Sequence, residues 1–191
     1  MLSSRNIVVI AFSLVVLADP VIAQDMPVPL NVQVPLLSKI VFYDRTFLER
    51  KCSNIVIGIV FQSGYRASFA TKERLTSLID KFGPSIGTLP LRYVCIDVDG
   101  DQGWSDNPDI DKVDMLYISP LRAMSLDKIL QTSTRRRLLT FSGVPDYVAS
   151  GVAVGFGVRD DKPLIVINLP AAKAEGADFS SQLLRVAEVI R

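Results

Sequence analysis

Between Asn54 and Phe61 the chain reads Ile55, Val56, Ile57, Gly58, Ile59, Val60, a β-branched run with almost no polar alternation. A strand covered on one face alternates apolar with polar residues, so an unbroken run predicts a strand buried on both faces. Leu91 to Val98 and Val113 to Ser119 repeat the type. Between these runs the period changes. Thr71 to Phe82 places Leu75, Leu78, Ile79 and Phe82 on one helical face, and Ser125 to Arg136 does the same with Leu126, Ile129 and Leu130. Strands alternating with helices predict an α/β fold with a mainly parallel central sheet flanked by helices and joined by right-handed crossovers.

The two ends read differently. Leu36, Leu37, Ile40, Val41, Tyr43 and Phe47 recur at helical spacing and predict a helix from Pro35 to Leu48, with Pro35 in its first turn. Residues 24–34 hold Pro27 and Pro29 and are expected to be an extended lead-in. Towards the C-terminus, Arg137 to Ser142 predicts a fourth strand. Val152 to Arg159 and Leu164 to Leu169 flank Asp160, Asp161, Lys162 and Pro163, a polar turn that makes a C-terminal β-hairpin. Phe179 to Arg191, with Leu183, Leu184, Val186, Ala187 and Ile190, predicts a final helix. No repeat, low-complexity tract or linker interrupts residues 35–191, which read as a single α/β domain.

The first residues belong to a different kind of segment. One positive charge, Arg5, precedes an apolar run from Ile7 to Ala18, which is too short for a bilayer span of roughly 20 residues. Pro20 breaks the run, and Val21 and Ala23 are the small residues that signal cleavage requires, so residues 1–23 are expected to be a signal peptide cut near Ala23. No cysteine at the cut invites lipidation. The working chain is therefore expected outside the cytoplasm. Removing 23 of 191 residues leaves 168, a length suited to one domain with its own core. Arg5 and Asp19 leave together, so the net charge stays at +1, and no electrostatic footprint points to nucleic acid or an anionic membrane. Cys52 and Cys95 are the two cysteines. They form a disulfide if their Cα atoms come within about 7 Å, and two separate thiols otherwise.

Candidate chemistry is sparse. Histidine is absent, which removes the usual general base near neutral pH and the commonest nitrogen ligand for zinc. Asp97, Asp99 and Asp101 follow a strand end, where open α/β sheets place ligands, and at first resemble a calcium loop. The spacing then fails: Gln102 stands where an EF-hand needs Gly, and Pro108 where it needs Glu, so a solvated acidic loop is the better reading. Gly151, Gly155 and Gly157 lead into and lie within a hairpin strand instead of opening a helix, which points to a bulge or close backbone approach and away from a phosphate cradle. Arg135, Arg136 and Arg137 close a predicted helix and suit its negative pole. Trp104 either anchors an interface or folds back onto the domain's own surface. These readings assign no catalytic, cofactor-binding or metal-binding residue.

The C-terminal third carries a longer signature: Leu139-Thr140-Phe141-Ser142, Tyr147-Val148-Ala149, Gly151-Val152-Ala153-Val154, Ile165-Val166-Ile167-Asn168-Leu169, Ala171-Ala172-Lys173, Gly176, and Phe179 through Ala187. This resembles the YfiR family, a domain of unknown function, and looser likeness runs upstream through the helix and strands described above. Physically the block reads as scaffold: Asn168 can bond a turn backbone, Gly176 permits a positive φ, and Ser180 or Ser181 can cap the last helix. The resemblance implies a non-catalytic periplasmic regulator that needs no cofactor. It would bind the periplasmic part of an inner-membrane sensor such as a diguanylate cyclase, and so act on cyclic-di-GMP signalling and biofilm formation. An outer-membrane lipoprotein is a further partner that it implies, and a second copy of the chain is a separate candidate. Only Cys52 matches a family cysteine position; Asp111 and Lys112 stand where its family partner is expected. A small-ligand binding module is the alternative, with its crevice at the strand ends near Phe61 to Arg66, Asp97 to Gly103 and Ser119 to Arg122.

Overall fold

A computed structural model of the chain describes residues 26–47, 49, 53–99, 104, 107–122 and 126–191. The signal segment, Cys52 and Asp101 lie outside them. The expected runs form strands β1 (Ile55–Phe61), β3 (Leu89–Asp97), β4 (Met115–Ile118) and β5 (Leu139–Ser142), followed by β6 (Val154–Arg159) and β7 (Lys162–Asn168). A two-residue β2 (Ser85–Ile86) and a three-residue β8 (Glu188–Ile190) complete an eight-stranded sheet in the order β2-β3-β1-β4-β5-β6-β7-β8. Pairing from β3 through β6 is parallel, β6 and β7 run antiparallel, and β8 joins β7 in parallel.

Both faces of the sheet are covered. Ile55, Ile57 and Ile59 of β1 and Met115 and Tyr117 of β4 point into one apolar cluster with helices α1 (Leu30–Phe42) and α2 (Arg66–Phe82). Val60, Leu116 and Ile118 point into a second cluster on the other face, with a 3-10 turn (Pro108–Lys112), α3 (Leu126–Arg136) and α4 (Asp146–Ala149). Adjacent strand residues therefore enter opposite cores, which is why the strands read as unbroken apolar runs.

Several helix boundaries differ from the sequence expectation. α1 starts at Leu30, so residues 30–34 are helical instead of extended and Pro35 lies inside the helix, and it ends at Phe42, with Tyr43 as C-cap, short of the expected Leu48. The stripe Leu30, Gln33, Val34, Leu37, Ile40, Val41 is buried throughout, and that burial outweighs the one backbone hydrogen bond that Pro35 removes. α2 begins at Arg66, five residues early, without any side-chain cap to announce it. The final helix is present but shorter than expected: α6 (Ser181–Val186) is capped by Ser180, whose Oγ accepts from Leu183 N at 3.4 Å, and the chain then leaves as β8. A short α5 (Leu169–Ala174) links β7 to this end; Asn168 caps it through Ala171 N and donates to the Val148 carbonyl at 2.9 Å. The hairpin turn is just Asp160-Asp161, both at positive φ, the primed geometry that matches strand twist.

Several buried polar groups come in closed sets. Tyr117 Oη donates to Gln33 Oε1 at 2.7 Å, and Gln33 Nε2 donates to the Val28 carbonyl at 2.6 Å. Glu175, 3% exposed, accepts from Ser133 Oγ of α3 at 2.8 Å and from Thr140 N and Oγ1 of β5 at 2.8 and 2.9 Å. Burial pushes its carboxyl up to about 7, against the pull of those hydrogen bonds. At the far end of α1, the buried Asp44 accepts from Thr46 N at 3.0 Å and from Asp178 N at 3.2 Å, while Ser180 N donates to the Tyr43 carbonyl.

Two measurements follow. Gly155 lies where an added Cβ would strike Val148, buried and stiff on α4, so Gly155→Ala should lower the unfolding free energy by about 1–3 kcal/mol in urea titration. Folded Glu175 keeps its proton up to about pH 7, whereas the unfolded chain releases it near 4.5. The unfolded state binds fewer protons across that window, so stability falls as pH rises from about 4.5 to about 7 and levels off above it, a change of roughly 3 kcal/mol. Glu175→Gln should flatten that slope when unfolding is measured at pH 5 and pH 8.

Candidate functional site

The crevice expected to hold a ligand, at the carboxyl ends of β1, β3 and β4, is bridged by the chain's own groups. Gln62 N donates to Ser68 Oγ at 2.9 Å, and Gln62 Nε2 donates to Asp99 Oδ1 at 3.0 Å. Arg122 N donates to Gln62 Oε1. Asp97 Oδ1 accepts from Ser63 N at 3.1 Å, and Asp99 Oδ2 accepts from Gly64 N at 2.9 Å. The two carboxylates thus pin the loop from β1 to α2. They anchor the loop while staying in contact with solvent, Asp99 being exposed, and that anchoring role is one their spacing does not show. Among the described residues no group of three or more His, Cys, Asp or Glu side chains is placed to hold a metal ion; Asp101 and Gly103 lie outside them.

The other sequence candidates resolve into scaffold. Trp104 is buried in the second cluster with Ile96, Ile110 and Val113, so it folds back onto the chain. Arg136 pairs with Asp111, and the Arg137 side chain packs beside Gly176, which takes φ +86°. Gly151 adopts φ +116°, and Gly155 makes a close approach to α4 as its place in the strand suggested. Cys95 is a free, exposed thiol whose pKa is raised by partial burial.

What remains is a surface that the sequence did not mark. α1 lies over the first core cluster with an apolar groove along each flank. On one side, Val34, Pro35 and Ser38 of α1 face Leu78 and Phe82 of α2 and Pro84 beyond it, enclosing about 570 Å³. On the other side, Leu36, Ile40 and Tyr43 face Ile165 of β7 and Leu183 and Val186 of α6, enclosing about 360 Å³. The local sequence explains the aromatic rim. Gly83 takes the left-handed conformation at φ 50° and its N–H donates to the Ile79 carbonyl, a glycine C-cap that ends α2 and leaves Phe82 at its tip. Phe82 is 65% exposed, Phe42 at the end of α1 is 53% exposed, and Val186 is 70% exposed. Phe82 borders the first groove, Val186 and Tyr43 border the second, and Phe42 packs against Tyr43; exposed apolar side chains gathered around one helix mark an interaction surface more than scattered ones do. Lys39 borders both grooves, and no carboxylate lines either.

Residues 90–188 match a family described as YfiR/HmsC-like. No curated protein matches the chain. Among solved structures, the ABC domain of Streptococcus pneumonia in complex with L-Trp superposes with a TM-score of 0.61 at 13% identity, covering 85% of this chain and 62% of that one. A conserved domain protein of Vibrio cholerae O1 biovar El Tor superposes with a TM-score of 0.55 at 15% identity, covering 85% of this chain and 60% of that one. The chain thus spans about three fifths of the length of these structures, and the likeness is one of fold. No helix among the described residues is long and apolar enough to cross a membrane.

If the rim of the α1–α2 groove contributes little to folding, Phe82→Ser should change the unfolding free energy by no more than about 0.5 kcal/mol. Leu78→Ala, one turn earlier and buried, should cost about 2–5 kcal/mol in the same urea titration.

Proposed function

The chain belongs to the YfiR/HmsC-like family, its match covering residues 90–188, and from that membership we propose that it is a non-catalytic periplasmic regulator docking onto the periplasmic part of an inner-membrane signalling protein. A diguanylate cyclase is the partner we propose, with cyclic-di-GMP output as what the docking controls. The observation that carries the reading is the family match; the exposed apolar rim around α1 supports it. Phe42, Tyr43, Phe82 and Val186 offer the large, little-hydrated side chains that serve as anchors when a partner seals them from water.

The mechanism needs no chemistry from this chain. A sensor that exchanges between two arrangements is held in the one whose surface this rim fits better, and the shift in its output equals the difference between the two affinities. A regulator of this kind works by occupancy, so its effect follows its periplasmic concentration relative to the dissociation constant. An interface of ordinary size buries about 800 Å² on each partner, more than the two grooves offer alone, so docking would extend over neighbouring surface.

Cross-linking in intact cells, followed by mass spectrometry of the captured proteins, tests the reading. An inner-membrane protein with a periplasmic sensor region and a cytoplasmic cyclase domain should dominate the capture, and deleting this chain should change cyclic-di-GMP several-fold. Phe42→Asp with Phe82→Asp should reduce capture at least tenfold while leaving the circular dichroism spectrum unchanged. Enrichment of no membrane protein over an unrelated periplasmic control would sink the regulator reading.

A further inference from the structure

The groove between α1 and α2 contains a polar group that docking through its aromatic rim leaves unused. Helical Ser and Thr hydroxyls usually bond back to a carbonyl one turn earlier. Here Thr71 donates to the Ala67 carbonyl at 2.8 Å, Thr132 to Lys128 at 3.0 Å and Ser133 to Leu130 at 2.9 Å. Ser38 does not: its Oγ is shut off from solvent and has no hydrogen-bond partner among the described residues, although the residue forms part of the groove wall. A buried hydroxyl without a partner gains more from an incoming acceptor than one already paired.

The next residue supplies a charge. Lys39 is exposed, borders the same groove, and meets no acidic side chain in its lining. The rest of the wall is mostly hydrocarbon and aromatic, Val34, Pro35, Leu78, Phe82 and Pro84, with Asn31 and Ser85 as its further polar members. A volume of about 570 Å³ falls within the range of small-molecule sites, about 300–1,000 Å³, which are mostly apolar with a few fixed polar groups. A mostly apolar groove with one unpartnered hydroxyl and one ammonium side by side suits a ligand with a hydrocarbon body and a small anionic head. No arginine fork of the kind that grips phosphate lines the groove, and its one ammonium matches the single charge of a carboxylate.

We propose that the α1–α2 groove binds a medium-chain aliphatic monocarboxylate, its tail along Leu78 and Phe82 and its carboxylate accepting from Ser38 Oγ beside the Lys39 ammonium. The tail displaces water from the apolar wall. The head requires only that Ser38 move between staggered rotamers to turn its hydroxyl toward the slot, with its proton free to rotate. The site stands apart from the partner reading, since its occupant is a small molecule and its test uses the purified protein alone.

The test is isothermal titration calorimetry of the protein, purified after expression of the full chain, with decanoate below its micelle-forming concentration. One saturable site is expected, with decanol binding at least tenfold more weakly because it lacks the charge. Lys39→Gln and Ser38→Ala should each weaken decanoate about five- to tenfold, while Lys128→Gln, on α3 over the other face of the sheet, should leave it unchanged. Ser38→Ala removes an unpaired hydroxyl, so its melting temperature should not drop, which separates lost binding from lost folding. Absence of saturable heat, equal affinity for decanol, or decanoate binding that ignores both Ser38→Ala and Lys39→Gln would each overturn the proposal.

Discussion

Burial of β1, β4, β5 and β6 on both faces is the constraint from which the rest of the structure follows. A sheet whose central strands have no wet face has to be roofed twice over them, so α1 and α2 lie over one side while the 3-10 turn, α3 and α4 lie over the other. It also leaves buried polar side chains no water to turn to. Gln33, Tyr117, Thr140 and Glu175 therefore occur as partners of one another or of the backbone, each set tying together segments far apart in the chain. Glu175 alone joins the segment after α5 to both α3 and β5.

The strands and the hairpin were legible because two-sided burial and the period-two pattern write themselves directly into residue choice. Positions 30–34 misled for an equally physical reason. Three prolines within nine residues, Pro27, Pro29 and Pro35, signal extended chain locally, but a helix accepts one interior proline when enough apolar surface goes down with it. The last helix stops at Val186 because Glu188 to Ile190 find open hydrogen-bonding positions along β7, a neighbour that no local pattern announces. The scaffold roles of Asn168, Gly176 and Ser180 were readable from residue type alone.

The grooves were not legible, and the cause is topological. Ser38 and Lys39 belong to α1, Leu78 and Phe82 to α2, with β1 between them, so nothing in either stretch shows that they share a wall. Ser38 is an ordinary serine in sequence; only the packed structure shows that its hydroxyl lacks a partner. The acidic run at Asp97 and Asp99 drew attention as candidate chemistry, yet both carboxylates hold a loop. Exposed character in the sequence and function in the fold are different properties, and here they fall on different residues.

α1 is joined at its far end, through Asp44, to Asp178, a residue 134 positions later. Synthesis runs from the N-terminus, so the apolar stripe of α1 is among the first surfaces of the domain to be made, and β7 and α6 are among the last. A nascent chain that has reached β6 already displays Leu37, Ile40 and Val41 without the covering that completes their core. The fold therefore has a temporal order imposed on it: closure waits for the segment from Lys162 onward to arrive, and until then the stripe is the natural landing place for a holdase.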